Sequence, residues 1–246
     1  MKKLFALVLV TLLVAALAAC GPKTPQNGSD TTSGPENTIP DSSQSGQSNP
    51  AQTETTESSV DTSGEITVES LMNREANPES DFDFIECAEG EAELAGYYGD
   101  SEIVVIPETW NGLKVTKIQS YVFGAGSIVK AVKIPDSVTL VNDFAFATNT
   151  NLEIVVFGGG VKEIGTSAFQ SCENLRELIL NDGLEKIGEV SIGGCSNLKK
   201  LVIPESVNEI HILAFIGCPS DFVVVGKAGS VAETYAKDNG ITFEAN

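Results

Sequence analysis

The chain has 246 residues, with 34 acidic against 15 basic side chains and a formal charge of −19. That balance argues against nucleic acid and anionic lipid as partners, because both are held mainly through Lys and Arg. It suits solubility and basic or neutral partners, and a surface that is merely solvated accounts for it equally well.

Lys2 and Lys3 precede an uncharged apolar run from Leu4 to Ala19. The run is short for a transmembrane helix, is followed at once by polar sequence, and has the shape of a secretory signal. Leu17-Ala18-Ala19-Cys20, with Gly21 behind it, resembles a bacterial lipoprotein box. The resemblance implies that residues 1–19 are removed and that Cys20 is lipidated as the new N-terminus. Its acyl chains would hold the protein on its membrane at about 0.8 kcal/mol per buried methylene. An ordinary cleavage site with Cys20 incidental is the other reading.

From residue 20 to 80 the chain is Ser, Thr, Gly, Pro, Gln, Asn and acids, with almost nothing to bury, so a disordered tether is expected. As a coil it spans roughly 40 to 50 Å. Its one candidate for order is a single helical turn over Val68–Arg74.

Residues 81–246 are enough for one domain. A lead-in coil is expected over 81–114, with Trp110-Asn-Gly-Leu-Lys114 as a loop insertion. Residues 115–230 then hold five copies of a unit of about 23 residues. Val115, Val138, Val161, Leu184 and Val207 open the copies, and Ile118, Val141, Ile164, Ile187 and Ile210 follow three residues later. Phe123, Phe146, Phe169 and Phe215 form a third column, with Ile192 in the fourth copy. A period in this range means a solenoid, in which each unit buries its apolar face only against its neighbours.

Leu175-x-x-Leu178-x-Leu180, matched by Leu198-x-x-Leu201-x-Ile203 and Leu152-x-x-Val155-x-Phe157, alternates as a strand does. Those places face inward, while Val156, Ile179 and Val202 face outward. Successive copies are expected to pair as parallel strands about 4.8 Å apart, with Pro135 and Pro204 ending the ladder. After the array, residues 231–246 read as a cap. Ser230 and Glu233 form a capping box, Val231–Asp238 a helix, Gly240 a left-handed stop and Ile241–Phe243 a last strand.

The run I-G-x-x-A-F-x-x-C-x-x-L-x-x-L-x-L from Ile164 to Leu180 resembles the repeat of the BspA-like leucine-rich-repeat proteins of bacterial surfaces. Asp81-Phe-Asp-Phe84, Val104-Val-Ile-Pro-Glu108 and Asn111-Gly112 resemble that family's lead-in, and Gly226 to Ala236 its final cap. Copy four departs with Ser191-Ile192 in place of Ala-Phe, and copy one lacks the cysteine. The fold class implied is an α/β repeat, a leucine-rich-repeat solenoid with a parallel β-sheet on one face and short helical or irregular segments on the other.

Cys172, Cys195 and Cys218 stand one repeat apart, so they occupy equivalent places in successive coils. A straight column lacks the converging ligands of a metal site. A disulfide between stacked neighbours needs particular Cβ geometry and stays open as an alternative in an exported chain. The preferred reading is small buried hydrophobes. Asp136, Asp182 and Glu205 form an acidic row of turns, which reads as solvated residues rather than a calcium site. His211, the sole histidine, stands at a solvent-facing corner, seven residues from Cys218 at a core position, and no nucleophile–base pairing is legible. No enzyme activity, metal or cofactor is expected.

What remains is the outward face of the sheet. Lys133, Val156, Ile179 and Val202 form one column, continued by Val223, and Lys130, Glu153, Arg176-Glu177 and Lys199-Lys200 run beside it. Apolar residues rimmed by mixed charge suit a contact surface. β-branched residues also simply suit strands, and a chain terminus covering them is a further alternative. The expected ligand contacts are Val156, Ile179, Val202, Arg176, Lys199 and Lys200. The resemblance implies an exported, lipid-anchored, surface-displayed protein that binds an extracellular protein or glycan of host matrix, other cells or cell wall. An envelope scaffold without outside ligand is the alternative, and an enzyme with an unrecognised site a weaker one.

Overall fold

The computed structural model describes residues 65–87 and 90–246. The expected signal (1–19), Cys20 and most of the expected tether lie outside the described residues. Among those described, no helix is long and apolar enough to cross a membrane.

The repeats coil as a parallel β-solenoid, and each regular coil contributes two short strands. The opening residues of the copies supply one sheet. A hairpin of β1 (Phe82–Cys87) and β2 (Glu91–Tyr97) starts it, with β4 (Thr109–Trp110) folded back on β5 (Leu113–Ile118). Strands β7 (Leu140–Val141), β9 (Glu163–Ile164), β11 (Lys186–Ile187) and β13 (Glu209–Ile210) then follow β5 in parallel. The L-x-x-L-x-L segments supply a second ladder of β3 (Ile103–Val105), β6 (Ala131–Lys133), β8 (Ile154–Val156) and β10 (Glu177–Ile179). It resumes as β12 (Lys200–Val202), β14 (Val223–Gly226) and β15 (Thr242–Ala245).

Partners along the regular coils are one repeat apart, as in Lys133↔Val156↔Ile179 and Glu163↔Lys186↔Glu209. Between β3 and β6 the offset is five residues longer, Ile103↔Ala131, and the excess forms the β4–β5 hairpin at the expected insertion.

The core follows the repeat columns. Val115, Val138, Val161, Leu184 and Val207 are buried, as are Ile118, Val141, Ile164 and Ile187. Phe123, Phe146 and Phe169 stack with ring centroids 5.0 and 4.8 Å apart and interplanar angles of 16° and 13°. Ile192 ends the stack, and Phe215 instead packs on Phe222 and, edge-on, on Tyr235 of the C-terminal helix.

The Ala-Phe corner is irregular rather than helical, because its amides bond from coil to coil. Phe123, Phe146 and Phe169 donate to Ala145, Ala168 and Ser191 at 2.9, 2.8 and 2.7 Å. Tyr121, Phe144, Ser167 and Val190 all take positive φ there, between 53° and 65°. At the opposite corner Gly160 passes so close to the preceding coil that a Cβ would lie 2.0 Å from the Asp136 carbonyl oxygen.

The last coil is closed by the helix Val231–Asn239, with Ser230 as its cap and Gly240 at φ 69° as its stop. The Glu233 carboxylate accepts from Gly229 N–H rather than from the Ser230 amide that a capping box requires. Strand β15 completes the sheet, one residue later than expected.

The outward sheet face as a candidate binding site

On the second ladder the middle residue of each strand points into the core, as Val104, Val132, Val155, Leu178, Leu201 and Val224 do. First and third residues therefore face outward in two columns. One is Ile103, Ala131, Ile154, Glu177, Lys200 and Val223; the other is Val105, Lys133, Val156, Ile179, Val202 and Val225. The Val202↔Val225 pairing corrects the expectation that Val223 continues the Lys133 column. The last copy keeps the one-repeat offset of 23 residues, as Cys195 to Cys218 does, so Val223 stands opposite Lys200 instead.

The chain itself covers half of this face. Residues 65–80, expected to be tether, carry a helix over Val68–Met72 with a full capping box between Thr67 and Ser70. Leu71 is buried among Val105, Ala131, Ile154 and Val156, and Ile66, Val68 and Ile103 pack around the cluster. Arg176 donates to the Ile66 carbonyl and Lys133 to the Met72 carbonyl at 3.0 Å. Asn77 closes the edge strand: its amide donates to Val105 O at 2.9 Å, and its side chain accepts from Val105 N–H at 2.8 Å. The segment thus crosses the sheet from β10 back to β3.

The six expected contacts fall in different surroundings. Val156 is 5% exposed and lies beneath Leu71, so it offers nothing to a partner while the segment is docked, whereas Ile179 and Val202 are 41% and 49% exposed. Arg176 holds the segment and pairs with Glu153 at 3.5 Å, with Glu65 at 4.0 Å and with Glu177. Lys199 pairs with Asp221 and Lys200 with Glu244, both at 2.8 Å. The Lys199 hydrogen bond holds the Asp221 carboxyl below the usual carboxylate range. The structure brings Ile179 and Val202 together with these paired charges around them. Leu71 was missed by sequence reasoning, although Ile66, Val68, Leu71 and Met72 were the apolar cluster in an otherwise polar stretch.

Ile179 and Val202 also flank a seam. Among the described residues no strand pairing joins β10 to β12, although the ladder at β9–β11–β13 runs on unbroken beneath them. Coil three is tied backward instead: the buried Asn181 donates to Gly159 O and Val161 O at 3.0 and 3.1 Å.

The cysteine column is a row of free thiols. Cys172, Cys195 and Cys218 each sit 3.2 Å from a carbonyl of the preceding coil, of Phe146, Phe169 and Ile192. Burial pushes Cys172 up to about 12 and Cys218 up to about 11, and raises Cys195 well above the ordinary thiol value. Neutral thiols of this kind are poor nucleophiles and poor metal ligands. In the acidic row, Asp136 accepts from Gly159 N–H at 2.7 Å and Glu205 pairs with Lys227. His211 Nδ1 accepts from Leu213 N–H. No group of three or more His, Cys, Asp or Glu among the described residues is arranged to hold a metal ion.

Residues 103–235 match the family described as BspA type leucine rich repeat region, in six copies. The matched span opens at Ile103, the first residue of β3, ahead of the five copies expected from 115. A leucine-rich-repeat protein of T. pallidum has a solved structure similar to this chain, at 27% identity and TM-score 0.59, covering 61% of this chain and 71% of that one. A leucine-rich cell surface protein of Faecalibacterium prausnitzii A2-165 is 22% identical with TM-score 0.42, covering 62% and 55%. The pneumococcal vaccine antigen PcpA is 18% identical with TM-score 0.42, covering 60% and 48%. No curated protein matches.

Proposed function

Because the chain belongs to the BspA-type leucine-rich-repeat family, we propose that it is a non-catalytic binding protein displayed on a bacterial surface, held there by lipid on Cys20. The partner is an extracellular protein or glycan. One observation carries this reading: the apolar columns that the chain covers with its own residues 65–77 over β3, β6 and β8 continue exposed at Ile179 and Val202. Rigid strands hold these side chains ready, so little ordering cost falls on binding. Arg176, Lys199 and Lys200 frame the patch as paired charges, which shape specificity more than affinity. Many copies on one cell add avidity.

The test is binding of the full chain to an array of matrix proteins, mucins, cell-wall polymers and glycans, beside an Ile179→Asp/Val202→Asp variant. Saturable binding lost in the folded variant supports the reading and names the partner class. Binding retained by the variant places the site elsewhere, and no binding by either form favours an envelope scaffold.

A further inference from the structure

We infer that the outward sheet face is a peptide groove, and that residues 65–77 are its resident, displaceable occupant. The partner it fits is a short amphipathic peptide segment that takes the same seat. This rests on the proposed binding role of the face and specifies both its ligand chemistry and its regulation.

A peptide is already seated there, and its contacts define what the groove reads. Leu71 fills the hollow between Val105, Ala131, Ile154 and Val156, with Ile66 and Val68 on its N-terminal side. Two cations of the sheet donate to backbone carbonyls, Arg176 to that of Ile66 and Lys133 to that of Met72, with the Glu65 carboxylate 4.0 Å from Arg176 as well. Asn77 satisfies both the N–H and the C=O of Val105 on the edge strand. The ligand pattern is therefore an aliphatic anchor, β-branched apolar residues three and five positions before it, and an Asn six positions after it. Because the carbonyls carry no sequence identity, a segment from another chain with the same pattern meets the same groups.

The occupant is also separable from the fold. Leu71 and its partners form a cluster distinct from the core that runs through the coils. The helix has five residues, well below the length at which an isolated helix holds itself together. The groove is longer than the contacts of residues 65–77: these reach Arg176 beside β10, while Ile179 and Val202 lie exposed further along the same column. An incoming peptide that displaces the segment gains the Leu71 seat together with this uncovered continuation.

The experiment uses the full chain and a fluorescein-labelled synthetic peptide of residues 65–77. Leu71→Asp empties the seat in cis. A second variant, Val68→Asp/Asn77→Ala, loosens the segment while leaving every groove residue intact. With the fold of each checked by circular dichroism and melting, the peptide is expected to bind the variants at least about tenfold more tightly than wild type, since the resident segment competes only in the latter. A peptide carrying Leu71→Asp should not bind. Absence of binding to a folded variant, equal affinity for variants and wild type, or loss of fold in both variants each overturns the inference. A chain that captures the peptide but binds nothing on the array keeps the groove and loses the adhesive reading; array binding without peptide capture does the reverse.

Discussion

Truncating Leu71 to Ala separates a docked segment from an integral one. Leu71 is fully buried, and the substitution removes three methylene equivalents, about 2.4 kcal/mol at ~0.8 kcal/mol each. Against this stand the few hydrogen bonds of the segment, at about 1 kcal/mol apiece. The ordering of its residues opposes docking by ~1 kcal/mol or more each. Docking is thus a balance of a few kcal/mol, and losing 2.4 of them shifts it roughly 50-fold. Trypsin at Arg74, the single Lys or Arg between residues 65 and 80, reads the open population directly when reclosing is fast relative to cleavage. Cleavage there should accelerate by tens-fold, while the melting of the coils moves little because Leu71 belongs to the separate outer cluster. Unchanged cleavage at Arg74, or a melting temperature that falls while Arg74 stays protected, would refute the argument.

Ser191 stands where other copies carry Ala145, Ala168 and Ala214, and its buried hydroxyl has no partner. Ser191→Ala should therefore stabilise the domain by about 1 kcal/mol in urea unfolding. Phe146 is the middle ring of the stack, and Phe146→Leu should cost ~2 kcal/mol in the same assay from lost ring contacts and lost area. The thiol column makes stability fall in alkali. Folding raises these pKa values from an ordinary 9.0 toward about 11 for Cys218 and about 12 for Cys172. The neutral form is what folding favours, so this contribution is complete below pH 9 and is lost as pH climbs through 11 and 12. Urea midpoints measured across that window should decline, and Cys172→Ala should flatten the decline. Under native conditions near pH 8, Ellman's reagent should leave Cys172 and Cys195 unlabelled.

The coils were legible because a solenoid repeats its own environment. Val161, Ile164, Phe169 and Leu178 meet the same neighbours one repeat away in each direction, so one periodic pattern specifies strand, register and core together. The cap was legible for a similar reason: Ser230 and Gly240 act through contacts only a few residues away. The sheet formed by the opening residues of the copies was less so, since pairs such as Lys186-Ile187 are too brief to show an alternation.

Which part of the outward face is free could not be read the same way. Val156 and Ile179 share a column and a chemistry, and nothing local tells them apart. What separates them is Leu71, whose contacts with Val105, Ala131, Ile154 and Val156 follow no period and arise once in the chain. The seam between β10 and β12 is equally invisible locally, because the sequence on either side keeps the repeat. The sequence alone determined the coil, since each unit needs only its neighbours. Tertiary structure alone decided the surface, because covering it depends on one docked segment whose long-range contacts no repeat announces.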